Sequence, residues 1–173
     1  MLYLMIACRA LLAAVFTIAL VGKIRGRAAF DEFAASIVAL GILPRGGSAV
    51  AAHALVAAEA VVVLLLALPP AVPLGFAAAV GALTVLTGGI LAALRRGRQA
   101  PCRCFGASAT PLGRVHVVRN LVLAALGGVG LTAWITAGTS APHPAGVVLA
   151  LVAAGVGALL VVRLDDLMEL FTV

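Results

Sequence analysis

Five runs of about 20 apolar residues, hardly broken by charge, constrain this chain more than any other feature. They are Leu2–Val21, Ala49–Leu68, Ala71–Leu94, Val115–Ala137 and Pro144–Val162. About 20 helical residues are needed to cross the hydrocarbon core of a bilayer. No water is available there, so each backbone N–H and C=O must be satisfied within the segment, and the runs are expected to be helices. Composition agrees. Hydrophobic residues make up 64% of the 173 residues and charged residues 10%, whereas a soluble domain carries about 25% charged residues. The expected fold is therefore all-α: a polytopic membrane helical bundle of about five transmembrane helices, forming a single integral membrane domain over residues 1–173. Leu2–Val21 lacks a basic leading region and holds Arg9 inside the run, so it reads as a span rather than a signal peptide.

The segment Ala28–Leu43 is too short to cross. Asp31 and Glu32 open it, and Phe30, Phe33, Ile37, Leu40 and Leu43 recur at helical spacing, which predicts one short interfacial or re-entrant helix. Pro69-Pro70 separates the second and third spans, and Pro142-His143-Pro144 separates the fourth and fifth. Thr110-Pro111 has the form of a helix N-cap followed by proline in the first turn of the fourth span. Gly127, Gly128 and Gly130 in the fourth span, with Gly155 and Gly157 in the fifth, suit close helix approach.

Charge is unevenly placed. The chain has 12 Lys+Arg against 6 Asp+Glu, a net charge of +6. The basic residues collect in alternate loops: Lys23, Arg25, Arg27 and Arg45 in the first, and Arg95, Arg96, Arg98, Arg103 and Arg114 in the third. The second and fourth loops hold no Lys or Arg. That alternation is the positive-inside pattern of a multi-pass protein of the cell (plasma) membrane, not a nucleic-acid surface. It predicts a cytoplasmic third loop. The partner this implies is membrane lipid, with no nucleic acid, and no nucleotide-binding glycine loop is visible.

The third loop also carries the most reactive feature, Cys102-Arg103-Cys104. Cysteines at i and i+2 can reach disulfide distance, but the small ring strains the bond and makes it easier to reduce. Arg98 and Arg103, and the N-terminus of the following helix, would stabilise a thiolate. Pro101 and Gly106 suit a held turn with room for a partner's backbone. Redox exchange leads on these grounds. Inert thiols, half of a metal site and a structural disulfide remain open beside it; for metal, only His116 and Cys8 stand out as further ligands, so no metal site is assigned.

Several polar residues fall within the spans. Glu59 lies near the middle of the second, where an isolated carboxylate is costly, so it should face the interior with a partner. Arg9 and Arg119 are the expected partners. An ion pair fixing helix packing is the plain reading, and proton handling beside thiol chemistry is the sharper one. His53 reads as a polar residue near the membrane surface, and His116 as a weak base. Cys8 reads as a small buried hydrophobe, the alternative being exchange with the loop pair.

The run Cys102-Arg103-Cys104-Phe105-Gly106, with Arg119-Asn120 opening a hydrophobic helix, resembles the methylamine utilisation protein MauE family. Arg9, Lys23 and Glu59 also look like that family's pattern. The resemblance covers roughly residues 1–137 and leaves an extra C-terminal span at about 144–162. The family is similar to DoxX-like membrane proteins in its helical bundle. The resemblance implies thiol–disulfide chemistry supporting maturation of disulfide-containing proteins, and a thioredoxin-like redox protein as partner. The family often has glycine between the cysteines, where this chain has Arg103. Its substrates are extracytoplasmic, whereas loop charge points the cysteines to the cytoplasm.

The leading expectation is thus a membrane thiol–disulfide oxidoreductase. Cys102 and Cys104 would be catalytic, with Arg103, Phe105, Gly106, Arg119, Asn120, Glu59 and Arg9 supporting. No cofactor is evident; a quinone would serve as terminal electron partner, though no quinone signature is visible. The alternatives are a non-enzymatic membrane scaffold or assembly factor for a redox partner, and a small-molecule transporter built on Glu59.

Overall fold

The computed structural model describes residues 1–97, 113–137 and 142–164, with only the backbone of Arg45. Six α-helices make up the described chain: α1 Leu2–Ile24, α2 Arg27–Ala39, α3 Arg45–Ala67, α4 Val72–Arg95, α5 Arg114–Thr136 and α6 Pro144–Val162. Five of them, all but α2, are long and apolar enough to cross a membrane. No strand occurs among the described residues.

The spans form where the apolar runs lie, with informative shifts at their ends. α1 runs on past Val21 to Ile24 and so takes Lys23 into its last turn, where the side chain is buried. Lys23 is therefore not a loop charge, as the loop count took it to be. α3 starts at Arg45, earlier than Ala49, because Pro44 precedes the first turn and the Ser48 hydroxyl donates to the carbonyls of Leu43 and Pro44. A short 3₁₀ turn, Pro69–Ala71, joins α3 to α4. α5 begins at Arg114 behind Gly113; Thr110 and Pro111 lie outside the described residues.

The helix α2 ends earlier than the pattern implied, at Ala39 rather than Leu43. Gly41 adopts φ 63°, a left-handed conformation that glycine takes without strain, and turns the chain out of the helix. α2 does more than lie at an interface. Phe33 and Ser36 are buried against the bundle. The Phe30 ring meets the His53 ring of α3, centroids 4.7 Å apart. Beyond it, Leu40 and Ile42 pack on Ile90 and Ala93 of α4, and Arg96 donates to the Gly41 carbonyl at 2.9 Å.

Interhelix contacts settle the directions. Arg9 of α1 reaches the end of α3, so these two run antiparallel. Tyr3 faces Gly146 and Leu11 faces Gly157, so α6 runs parallel to α1. The bundle consequently has a basic end, where Arg25, Arg27, Arg95, Arg96, Arg114 and Arg163 gather. Among the described residues, Arg9 is the one Lys or Arg near the opposite end.

Packing explains the small residues selectively. A Cβ on Gly130 would run into the Phe76 ring of α4, and one on Gly127 would stand 2.8 Å from Val80. One on Gly157 would stand 2.8 Å from Leu11. Gly128 and Gly155 face open space, so the expected packing role does not extend to them. Ala150, Ala154 and Ala158 form the buried stripe of α6, the small-residue spacing that lets helices approach in lipid. The remaining faces expose Leu149, Leu159, Ile135 and Leu74, as expected where the solvent is hydrocarbon.

Candidate functional site

Each spanning helix buries one stripe of side chains, and near the basic end those stripes turn polar. The α1 stripe runs Cys8, Leu12, Val15, Phe16, Ala19 and then Lys23. On α5, His116, Arg119 and Asn120 occupy the buried face ahead of Leu123, Gly127 and Gly130. α3 contributes Glu59 and α4 contributes Thr87, both buried. Helical periodicity alone thus carries polar groups into the interior. Lys23 comes from the last turn of α1 and His116, Arg119 and Asn120 from the first turns of α5, whereas Glu59 comes from the middle of α3.

Lys23 and Glu59 form the centre. Lys23 Nζ donates to Glu59 Oε1 at 2.8 Å and to Oε2 at 3.1 Å, and also to the Ala19 carbonyl at 3.2 Å. Both side chains are almost fully excluded from solvent, at 3% and 7% exposure. Three acceptor oxygens among the described residues thereby surround the ammonium. The Phe33 ring of α2 stands over it, 5.0 Å from centroid to nitrogen, and adds a cation–π contact. Taking two charges out of water is expensive and is offset only when geometry and hydrogen bonding are this complete.

The expected partners of Glu59 were Arg9 and Arg119; the structure replaces both with Lys23. Arg9 lies at the other end, donating from Nε to the Leu66 carbonyl at 2.6 Å and from Nη2 to the Ala67 carbonyl at 3.1 Å. It caps the C-terminus of α3, where unsatisfied carbonyls favour a cation. Arg119 is buried on α5 beside Asn120. The signal that would have found Lys23 is its register: four residues beyond Ala19, it continues the buried stripe of α1. A reading of Lys23 as a loop cation masks that register.

A cavity of about 30 Å³ opens beside the ion pair, lined among the described residues by Phe16, Phe33, Leu83, Leu123, Lys23, Glu59 and Asn120. Asn120 is 3% exposed, and its Nδ2 has no hydrogen-bond partner among the described residues. Thr87 is self-satisfied, its hydroxyl donating to the Leu83 carbonyl at 2.6 Å.

Cys102, Arg103, Cys104, Phe105 and Gly106 lie outside the described residues. Their flanks do not: α4 ends at Arg95 and α5 starts at Arg114, side by side around one groove at the basic end. Residues 1–135 match the family of methylamine utilisation protein MauE. The chain belongs to the MauE family. The matched region ends within the last turn of α5, so α6 lies beyond it. No curated protein and no solved structure matches the chain. Within this MauE-family bundle Cys8 is buried in the core, its Cβ against Gly130. Fifteen residues of helix separate it from Lys23, about 22 Å at 1.5 Å per residue. His53 is exposed on α3, its Nδ1 2.9 Å from the Ala49 carbonyl. Among the described residues no group of three or more His, Cys, Asp or Glu is placed to hold a metal.

Proposed function

We propose that this MauE-family protein is a membrane thiol–disulfide oxidoreductase in which Cys102 and Cys104 cycle between dithiol and disulfide. The observation that supports it most is a convergence. The segment bearing the cysteines joins two helix ends, Arg95 and Arg114, at the end of the bundle where Lys23, Arg119 and Asn120 are buried, with Glu59 deeper on α3 and paired to Lys23. Intramembrane ionisable groups are costly and mark functional sites. Here they gather at the end from which the chain's one close cysteine pair is tethered.

The partner is a thioredoxin-like protein. A thiolate of one partner attacks the disulfide of the other, a mixed disulfide forms, and the second cysteine resolves it, moving two electrons. Arg103 and Arg119 favour the thiolate, and Glu59, held by Lys23, anchors the helices around the site. Phe105 and Gly106 shape the approach. The basic end is cytoplasmic by the positive-inside rule, and the membrane is the plasma membrane. A quinone as terminal electron partner would complete a cycle across the bilayer. The Lys23–Glu59 pair disfavours the transporter alternative, because the carboxylate such a site would use is already committed to a neighbouring ammonium.

The test is a redox titration of Cys102 and Cys104 in the purified full chain, read by alkylation and mass spectrometry across glutathione buffers. A reversible two-electron transition is expected, together with a mixed disulfide trapped by Cys104→Ser. A pair that stays reduced, or never bonds, across that range overturns the reading and leaves a scaffold that holds a redox partner in place.

A further inference from the structure

We propose that the groove between the basic ends of α4 and α5 binds one anionic phospholipid of the surrounding leaflet. Its phosphate meets Arg95 and Arg114, and an acyl chain lies along Leu91, Leu94, Val117 and Val118.

The lining of the groove points to an amphiphile. Among the described residues it is formed by those four aliphatic side chains and the two arginines, around a volume of about 490 Å³. No Asp or Glu lines it among the described residues. Both arginines are exposed, and neither is paired with a carboxylate among the described residues. Arg96 differs, because its guanidinium is engaged with the Gly41 carbonyl. The connecting stretch 98–112 adds Arg98 and Arg103 and contains no Asp or Glu, so its composition supplies no counter-charge either. Two like charges on one groove repel, and a single phosphate compensates both. Arginine suits that ligand, since its planar fork matches phosphate oxygens.

Position selects a lipid over a free anion. Leu91 and Val118 are 39% and 57% exposed on the outer faces of spanning helices, where the surroundings are hydrocarbon. Arg95 stands in the last turn of α4 and Arg114 opens α5, so the charges sit where the apolar spans end. A free phosphate would use the arginines and leave the aliphatic wall bare, whereas a phospholipid uses both. A zwitterionic lipid brings the same chains, but its own cation works against a doubly basic site. The basic end is the cytoplasmic one by the positive-inside pattern, and anionic lipids are found in that leaflet. Basic pockets between transmembrane helices on that side take anionic headgroups.

A phosphate held by both arginines ties together the ends of α4 and α5, between which residues 98–112 run. The site itself rests neither on the thiol chemistry nor on the Lys23–Glu59 pair.

The test uses the full chain in detergent, with dioleoyl phosphatidylglycerol and dioleoyl phosphatidylcholine as probes and native mass spectrometry as the readout. The parent should retain one phosphatidylglycerol several-fold more strongly than phosphatidylcholine. Arg95→Gln/Arg114→Gln should abolish that preference. Arg25→Gln/Arg27→Gln removes the same charge from exposed positions at the same end and should keep it. Val118→Phe leaves both charges but fills the groove, and it should weaken retention. Glycerol phosphate, a headgroup without chains, should not compete at equal concentration. A photoactivatable phosphatidylglycerol should label residues 91–95 and 114–118. Equal losses in the two arginine pairs, no preference in the parent, competition by glycerol phosphate or full retention in Val118→Phe overturns the proposal. If Arg95→Gln/Arg114→Gln does not fold, the label in the parent decides. Label confined to the two helix ends upholds the site, and label spread around the bundle, or on residues 98–112 alone, overturns it.

Discussion

The two ends of the bundle use polar residues in opposite ways. At the end where α1 begins, they serve the backbone. Arg9 caps α3, and the Tyr3 hydroxyl accepts from the His143 N–H at 2.9 Å. The helices between them close over glycine, with Gly130 against Phe76 and Cys8. At the basic end, polar side chains meet one another around a small cavity, and α2 folds over them with Phe33. One end is tightly closed, and the other holds charge and space. The contrast teaches that burial of polar groups is not one phenomenon here: at the first end they complete the scaffold, at the second they form a site.

The largest way to test that division is to break the central pair. Lys23→Met leaves the Glu59 carboxylate buried without its counter-ion, and a destabilisation of about 3–5 kcal/mol is expected in thermal or denaturant unfolding in detergent. The paired replacement Lys23→Met/Glu59→Leu removes both charges and should recover most of that loss, since hydrophobic replacement of a buried pair is often neutral. If the pair is only a joint, the double variant also keeps its redox transition. If it serves the site, the protein folds but the transition shifts or disappears. Equal instability of the single and double variants would refute the assignment of the pair as mutually compensating.

The closed end makes a second, smaller prediction. Gly130→Ala places a Cβ against the Phe76 ring and should cost about 1–3 kcal/mol by overpacking, read as a lowered Tm. Gly128→Ala, with nothing near its Cβ, should be close to neutral. Comparable losses at both positions would show that α5 packs in another register.

Much of the scaffold is legible in the sequence because hydrocarbon permits so few solutions. Apolar runs of spanning length must be helices, and all five appear within a few residues of the expected bounds. Helix ends were harder to read, since Lys23 looks like a loop cation until its register with Ala19 is noticed. The partner of Glu59 was illegible for a related reason. Sequence shows that a carboxylate needs a counter-charge but not which helix direction brings one to it. Arg9 was eligible by composition, yet antiparallel packing carries it to the far end of α3. The role of Phe33 depended likewise on α2 folding back onto the bundle rather than lying flat at its edge.

Arg9 offers the finest test of the contrast, because its sequence position suggested a site residue and its geometry gives it a scaffold role. Its guanidinium meets the carbonyls of Leu66 and Ala67, which no further turn of α3 can satisfy. Arg9→Ala should therefore lower stability by about 1 kcal/mol, the scale of a partly exposed cap at a helix C-terminus. Hydrogen exchange should quicken in the last turn of α3 while the Lys23 end keeps its protection. Arg9→Lys retains the positive charge but loses the two-nitrogen fork, so it should restore only part of the effect. The redox behaviour of Cys102 and Cys104 should be untouched in either variant. A shift in that behaviour, with α3 exchange unchanged, would move Arg9 from the scaffold to the site and dissolve the distinction between the two ends.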